Sequence, residues 1–222
     1  MNIQKYPLSS SHIEILKWLA LFFMVIDHTG YILSGDNYIF RSIGRLSYPI
    51  FGFVLAHNIY YFTKSLPHML LKLFIFGVIT QPIALLAMPV AYSGSLNILF
   101  SFLASGIIIF AYRCKNISYK LLIYPVGFLL SFVSDYGLFG MLMVFSFYLF
   151  FETKKHNYIF LSIIFILFSE INHFPMWVII PAILAPSIPL MIRMPYIIKR
   201  SPKNLFYLMY IFQFLLLSLI LQ

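Results

Sequence analysis

The chain has one cysteine in 222 residues, only six acidic residues, and charged side chains at 9% of positions. A lone Cys114 excludes an internal disulfide and any thiolate metal cluster. Arg113 and Lys115 flank it, which favours the thiolate, but it reads as an incidental loop cysteine. The scarcity of charge, with 62% hydrophobic residues, excludes a soluble domain of this size: too little polar surface exists to cover it. Lipid is therefore the expected solvent. No Gly-rich phosphate loop, nucleophile elbow or HExxH pattern occurs. No small-residue cleavage site follows the first apolar run, so no cleavable signal peptide is expected. Internal repeats and low-complexity linkers are also absent.

What is present is a succession of apolar runs near 14–34, 42–62, 68–88, 96–113, 118–132, 137–152, 157–171, 174–192 and 204–221. They predict an all-α, polytopic membrane bundle of about nine spans forming a single domain over residues 1–222. The 118–132 and 137–152 runs are short enough to form one re-entrant pair, which would lower the count. The basic residues test the pattern. Thirteen fall in alternate connections, from Lys5 and Lys17 through Lys154 and Lys155 to Lys203, and the other connections hold only Arg41 and Arg45. Positive-inside bias then places the N-terminus in the cytoplasm and the C-terminus outside. The net charge of +9 is explained this way, and its scatter excludes a nucleic-acid face.

Proline is expected to kink the spans at Pro49, Pro82, Pro125, Pro181, Pro186 and Pro189. Pro49 also frees the carbonyl of Arg45. The outward connections carry Asp36, Asn37, Asn97, Asp135 and the run Glu170 to His173. They are expected either to converge on an outward polar cup or to be wetted separately.

The stretch from Glu14 to Arg45 carries the chemistry. Eleven steps separate Lys17 from His28, three turns plus about 20°, so both lie on one helix face about 16 Å apart. Asp27 adjoins His28, and Arg41 and Arg45 follow at i, i+4. Burying charge at membrane depth costs at least ~2.5–3.5 kcal/mol per residue, so such residues mark a site by default. A structural reading stands beside it: a snorkelling lysine, a satisfied histidine and an Asp27–arginine pair as glue. The functional reading is a slot. A phosphate-bearing ligand docks by Lys17 and threads a thioester to His28, a proton acceptor suited to neutral pH. Coenzyme A has that shape. Glu170 and His173 have the i, i+3 spacing of a metal site, but one copy is too little, and no metal is expected. His57 is expected to be a core histidine rather than a cavity residue.

The blocks LKWLALFFMVIDHTG, RSIGRLSYPIFGFVLAHN, ITQP, LNILF, DYGLFGML and KNLFYLMY resemble the TraX family, in order and along nearly the whole chain. The founding member of that family acetylates conjugative F-pilin. The basic residue before the first-span histidine is also similar to the pattern of acyltransferase-3 membrane enzymes. The resemblance implies acetyl transfer from acetyl-CoA to an amine or hydroxyl in the bacterial cytoplasmic membrane. The implied acceptor is a pilin-like peptide or an envelope glycan or lipid. It marks Lys17, Asp27, His28, Arg41, Gly44, Arg45, Pro49, Asn97, Asp135, Tyr136, Gly137, Gly140, Phe206, Tyr207 and Tyr210. Of these, His28, Asp27, Arg45 and Arg41 are expected to be catalytic. Lys17, Asn97, Asp135, Tyr136, Tyr207 and Tyr210 are expected to bind substrate. His28 is the expected base, and Arg45, Arg41 or Asn97 the oxyanion partner. Ile211 and Gln213 stand where the family pattern has proline and histidine. The competing class is a small transporter or channel gated by buried ion pairs, and a degenerate assembly scaffold is a third.

Overall fold

Helix starts follow from local caps. The Ser9 hydroxyl accepts the His12 backbone N–H at 3.2 Å and opens α1, Ser10–Leu33. Asn97 and Asn116 cap α6, Ile98–Arg113, and α7, Ile117–Phe132, in the same manner. Lys154, in the left-handed region at φ 61°, ends α8, Gly137–Thr153. The computed structural model describes residues 7–33, 38–170, 175–191, 199–202 and 204–220, all helical or connecting. The remaining helices are α2, Tyr38–Gly44; α3, Ser47–Tyr61; α4, Leu66–Ala87; and α5, Pro89–Tyr92. After α8 come α9, Asn157–Glu170; α10, Met176–Leu184; a 3-10 turn, Ala185–Ser187; α11, Ile188–Met191; and α12, Leu205–Ile220.

Each apolar run of the sequence contains helix, but the lengths differ. Residues 10–32 and 66–87 are long and apolar enough to cross a membrane. Six further apolar helices run 10–17 residues, at most about 26 Å at 1.5 Å per residue against a hydrocarbon core of about 30 Å. The structure is thus an all-helical bundle in its described residues. The nine crossings remain a reading of the sequence pattern.

The 42–62 run is not one kinked rod. It divides at Arg45 and Leu46 into α2 and α3, so Pro49 falls in the first turn of α3. There its missing N–H has no helical partner to lose, and the break replaces the expected kink. Pro82 and Pro125 lie inside continuous helices. The 174–192 run, with its four prolines, is the interrupted one: α10, the 3-10 turn and α11.

Helix α3 forms the middle of the bundle, against α1 on one side and α8 on the other. Small residues permit this: Ala20 and Ala56 are fully buried, and the Ser47 hydroxyl donates to the Ala20 carbonyl at 2.8 Å. Helix α6 packs on α4, α7 and α8, and α12 lies against α4 and α1.

The two ends of the bundle differ in chemistry. At one end the Leu8 N–H donates to His57 Nε2 at 3.1 Å, and Arg113 donates to the Tyr148 hydroxyl and the Ile59 carbonyl. Lys154 donates to the Tyr61 hydroxyl there and rests on the Tyr60 and Tyr61 rings. His57 is fully buried against Tyr61 and Phe151, a core histidine as expected. The other end holds Asp27, Asp135 and Glu170 with Arg41 and Arg45, whereas Glu14 and Glu152 lie nearer the first end, paired with Lys17 and with the Tyr112 hydroxyl. Asp36, Asn37 and His173 fall outside the described residues, so the full outward cup and the Glu170–His173 pair do too.

Candidate functional site, a polar cavity beside the first helix

Gly44 sets the geometry. A Cβ there would stand 2.2 Å from the Asp27 Cβ, so only glycine lets the end of α2 lie directly on α1. That approach puts Arg41 Nη1 3.0 Å from Asp27 Oδ1, and Arg45 Nη2 3.6 Å from Asp27 Oδ2. Arg45 also donates to Glu170, at the end of α9, at 3.3 Å. All three partners of this chain are nearly enclosed: Asp27 is 8% exposed, Arg45 8% and Glu170 2%. Charges so enclosed persist only when paired, and here they are.

A second set of contacts brings in the distant loops. The Leu96 N–H donates to the Val133 carbonyl at 2.7 Å, and the Asp135 N–H to the Leu96 carbonyl at 2.9 Å. This short parallel bridge ties the loop before α6 to the loop before α8. Tyr136 then stacks on Tyr48 at 3.6 Å between centroids and lies 5.9 Å from the Arg45 guanidinium. Gly140 is required here, since a Cβ would meet Tyr136 at 2.4 Å and the Tyr48 hydroxyl at 2.8 Å.

Between these parts lies a cavity of about 50 Å³, walled among others by Asp27, His28, Arg41, Arg45, Asp135, Tyr136 and Tyr210. His28 is 6% exposed, its ring is stacked on Phe214 at 4.7 Å, and its Nδ1 has no hydrogen-bond partner among the described residues. A buried imidazole nitrogen without a partner, on a ring that lines a polar cavity, is an available proton acceptor or donor.

Seven of the ten expected site residues therefore line one cavity. The other three do not. Asn97 is fully buried and occupied: it caps α6 through Leu99, and its amide donates to the Gly77 carbonyl and to Gln81 Oε1, both at 2.9 Å. It holds α4 to α6 and has no free donor for an oxyanion. Tyr207 stacks on Phe76 at 4.7 Å, between α12 and α4. Lys17 pairs with Glu14 and lies 4.6 Å over the Phe206 ring.

The expected face of α1 is real, but the slot is not open. Lys17 and His28 both turn toward α12, onto Phe206 and Phe214. Between them Leu21 and Met24 are each 5% exposed, and the cavity wall ends at Met24. A cavity of about 50 Å³ holds a few waters or one small group, whereas ligand pockets span about 300–1,000 Å³. No pantetheine arm fits in this arrangement.

Sequence reasoning missed Glu170 as the partner of Arg45. It stands 125 positions away, and the sequence pattern assigned it only a place in an outward connection and an i, i+3 spacing to His173 too weak to imply a metal. Among the described residues no three His, Cys, Asp or Glu side chains gather as metal ligands. Gly44 and Gly140 were marked by resemblance alone. Their physical reason, two close approaches, became visible only in three dimensions.

Comparison with known proteins places these residues in a lineage. A Rickettsia prowazekii protein bearing the name uncharacterized is 38% identical over 68 residues, 31% of this chain and 25% of that protein. The chain thus spans about a quarter of the length of that relative. No solved structure matches. The family model described as TraX protein matches residues 12–221, from the first turn of α1 to the end of α12, and the chain belongs to the TraX family.

Proposed function

We propose that the chain is a membrane-embedded acyltransferase of the bacterial cytoplasmic membrane. It moves an acetyl group from acetyl-CoA to an amine or hydroxyl of a membrane or envelope acceptor, as the resemblance to the pilin acetylase implies. The observation that carries the reading is His28: an enclosed imidazole with an open nitrogen, in one cavity with two arginines. That combination offers a base beside fixed positive charge.

The membrane part rests on the surface. Large side chains stand exposed along α4 and α7, among them Leu71, Val78, Leu86, Leu121, Leu122 and Leu129. Contiguous apolar surface of that extent belongs against lipid. Lys154 and Arg113 lie at the same end as Leu8 and the start of α1, which agrees with a cytoplasmic N-terminus.

The chemistry runs as follows. The acceptor amine or hydroxyl attacks the thioester carbonyl, and a tetrahedral oxyanion forms. Arg41 or Arg45 stabilises the oxyanion. His28 takes the proton from the attacking atom. As the C–S bond breaks, that proton passes to the departing thiolate, leaving the acetylated acceptor and the free thiol of coenzyme A. The donor needs room that the closed cavity lacks. Leu21 and Met24 must move from between α1 and α12, after which phosphates near Lys17 and a thioester near His28 suit one extended molecule.

The test is transfer of labelled acetyl from acetyl-CoA in membranes containing the chain, with dephospho-CoA as competitor. Donor-dependent labelling of an acceptor, absent from control membranes, is the expected result. Transport of a solute without acetyl transfer would replace this reading with the channel class.

A further inference from the structure

Helix α12 turns one row of side chains inward: Phe206, Tyr210, Gln213 and Leu217, spaced four, three and four apart. Phe206 meets Trp18 and Lys17 of α1, Tyr210 walls the cavity, and Phe214, next to Gln213, stacks on His28. Gln213 therefore lies on the row that runs from the level of Lys17 to that of His28, nearer His28. It is 6% exposed, and neither its Oε1 nor its Nε2 has a hydrogen-bond partner among the described residues. It takes no part in the pairing of Arg41 and Arg45 with Asp27 and Glu170. A buried amide with both halves unpaired is unfavourable, and native proteins rarely keep one without a use.

We propose that Gln213 binds the amide next to the thioester in the arm of the acyl donor. The inference rests on the acyltransferase reading and names the feature of the donor that α12 recognises. In coenzyme A a secondary amide follows two methylenes after the sulfur. With the thioester at His28, that amide lies a few ångströms back toward Lys17. A helical side chain leans toward the N-terminus of its helix, so that of Gln213 leans from the level of Phe214 back toward Phe206 and Lys17. A primary amide is complementary to a secondary one: its N–H donates to a carbonyl, and its carbonyl accepts an N–H. An alkyl chain offers neither partner, and an ionised phosphate or carboxylate offers no donor. The displacement of Leu21 and Met24 that admits the donor opens the space this row faces.

The experiment is thermal unfolding of the full chain in detergent with one of two ligands. S-acetyl-N-acetylcysteamine carries the thioester and that one amide; S-pentyl thioacetate has equal length and no amide. The amide ligand is expected to raise the midpoint saturably, and the alkyl ligand not. Gln213→Met is expected to weaken the response about tenfold, the scale of one or two hydrogen bonds. Its ligand-free midpoint is expected to hold or rise, since an unpaired buried amide is gone, whereas loss of a glutamine that only packs the bundle would lower it. An equal response to both ligands, absence included, or an undiminished response in Gln213→Met, would overturn the proposal. If Gln213→Met does not fold, Gln213→Asn, which withdraws the amide by one methylene, takes its place with the same expectation. Amide-dependent binding without acetyl transfer would strike only the transferase reading. Transfer from acetyl-CoA that Gln213→Met leaves at an unchanged KM would strike only the role of Gln213.

Discussion

Arg45 donates through Nη1 to both carboxylate oxygens of Glu170, at 3.3 and 3.4 Å, across 125 positions of chain. The same guanidinium reaches Asp27 on α1. One side chain in the break between α2 and α3 thus joins the first helix to the end of α9.

Removing one partner of this group leaves an enclosed charge uncompensated. Glu170→Leu is expected to destabilise the protein by about 3–5 kcal/mol. Adding Arg41→Met and Arg45→Met with Asp27→Leu to that change is expected to recover part of the loss, because the partners are then removed together rather than one alone. Thermal unfolding of the variants in one detergent measures both, and additive losses would contradict the pairing.

Gly44→Ala forces a Cβ into Asp27 and must push α2 off α1. The expected cost is about 1–3 kcal/mol, the usual range for overpacking. Gly94→Ala is the comparison, since a Cβ there meets nothing within 4 Å. Equal unfolding midpoints for the two variants would remove the close approach as the reason for Gly44.

Asn97→Ala removes a helix cap and two donated hydrogen bonds at a fully buried position. It leaves Gln81 Oε1 and the Gly77 carbonyl without that donor. A loss of about 1–3 kcal/mol is expected, read from the same unfolding curves. A loss of acetyl transfer with no loss of stability would return Asn97 to the site.

Cys114, the sole cysteine, reports sidedness without substitution. It caps the end of α6 next to Arg113 and is half-buried. An impermeant maleimide is expected to label it from the cytoplasmic face. In a Cys114→Ser background, Asp135→Cys is expected to label from the opposite face. Labelling of both from one side would contradict the topology.

How much was legible follows from distance along the chain. Asp27, His28, Arg41 and Arg45 could be grouped from the sequence, because helical spacing and one short connection bring them together. Asp135 was legible as a polar residue of an outward connection, and Tyr136 and Tyr210 were marked as binding residues by resemblance. The Leu96–Ser134 bridge supplies the physical reason for the first two. The pairing of Glu170 with Arg45 was not legible because local spacing cannot reveal a partner on another helix. Asn97 misled because a buried amide suited to an oxyanion is equally suited to a cap. Lys17 was placed on the correct face, but periodicity says nothing of what fills the space between two residues on it. Leu21 and Met24 fill it.

The most direct measurement of the central claim is acetyl transfer by His28→Gln, with its unfolding midpoint taken alongside. General-base catalysis is worth about 10²–10⁴ in rate. The account predicts a fall in transfer of that order, from a protein whose midpoint stays close to that of the unaltered chain. Full transfer by folded His28→Gln would contradict it.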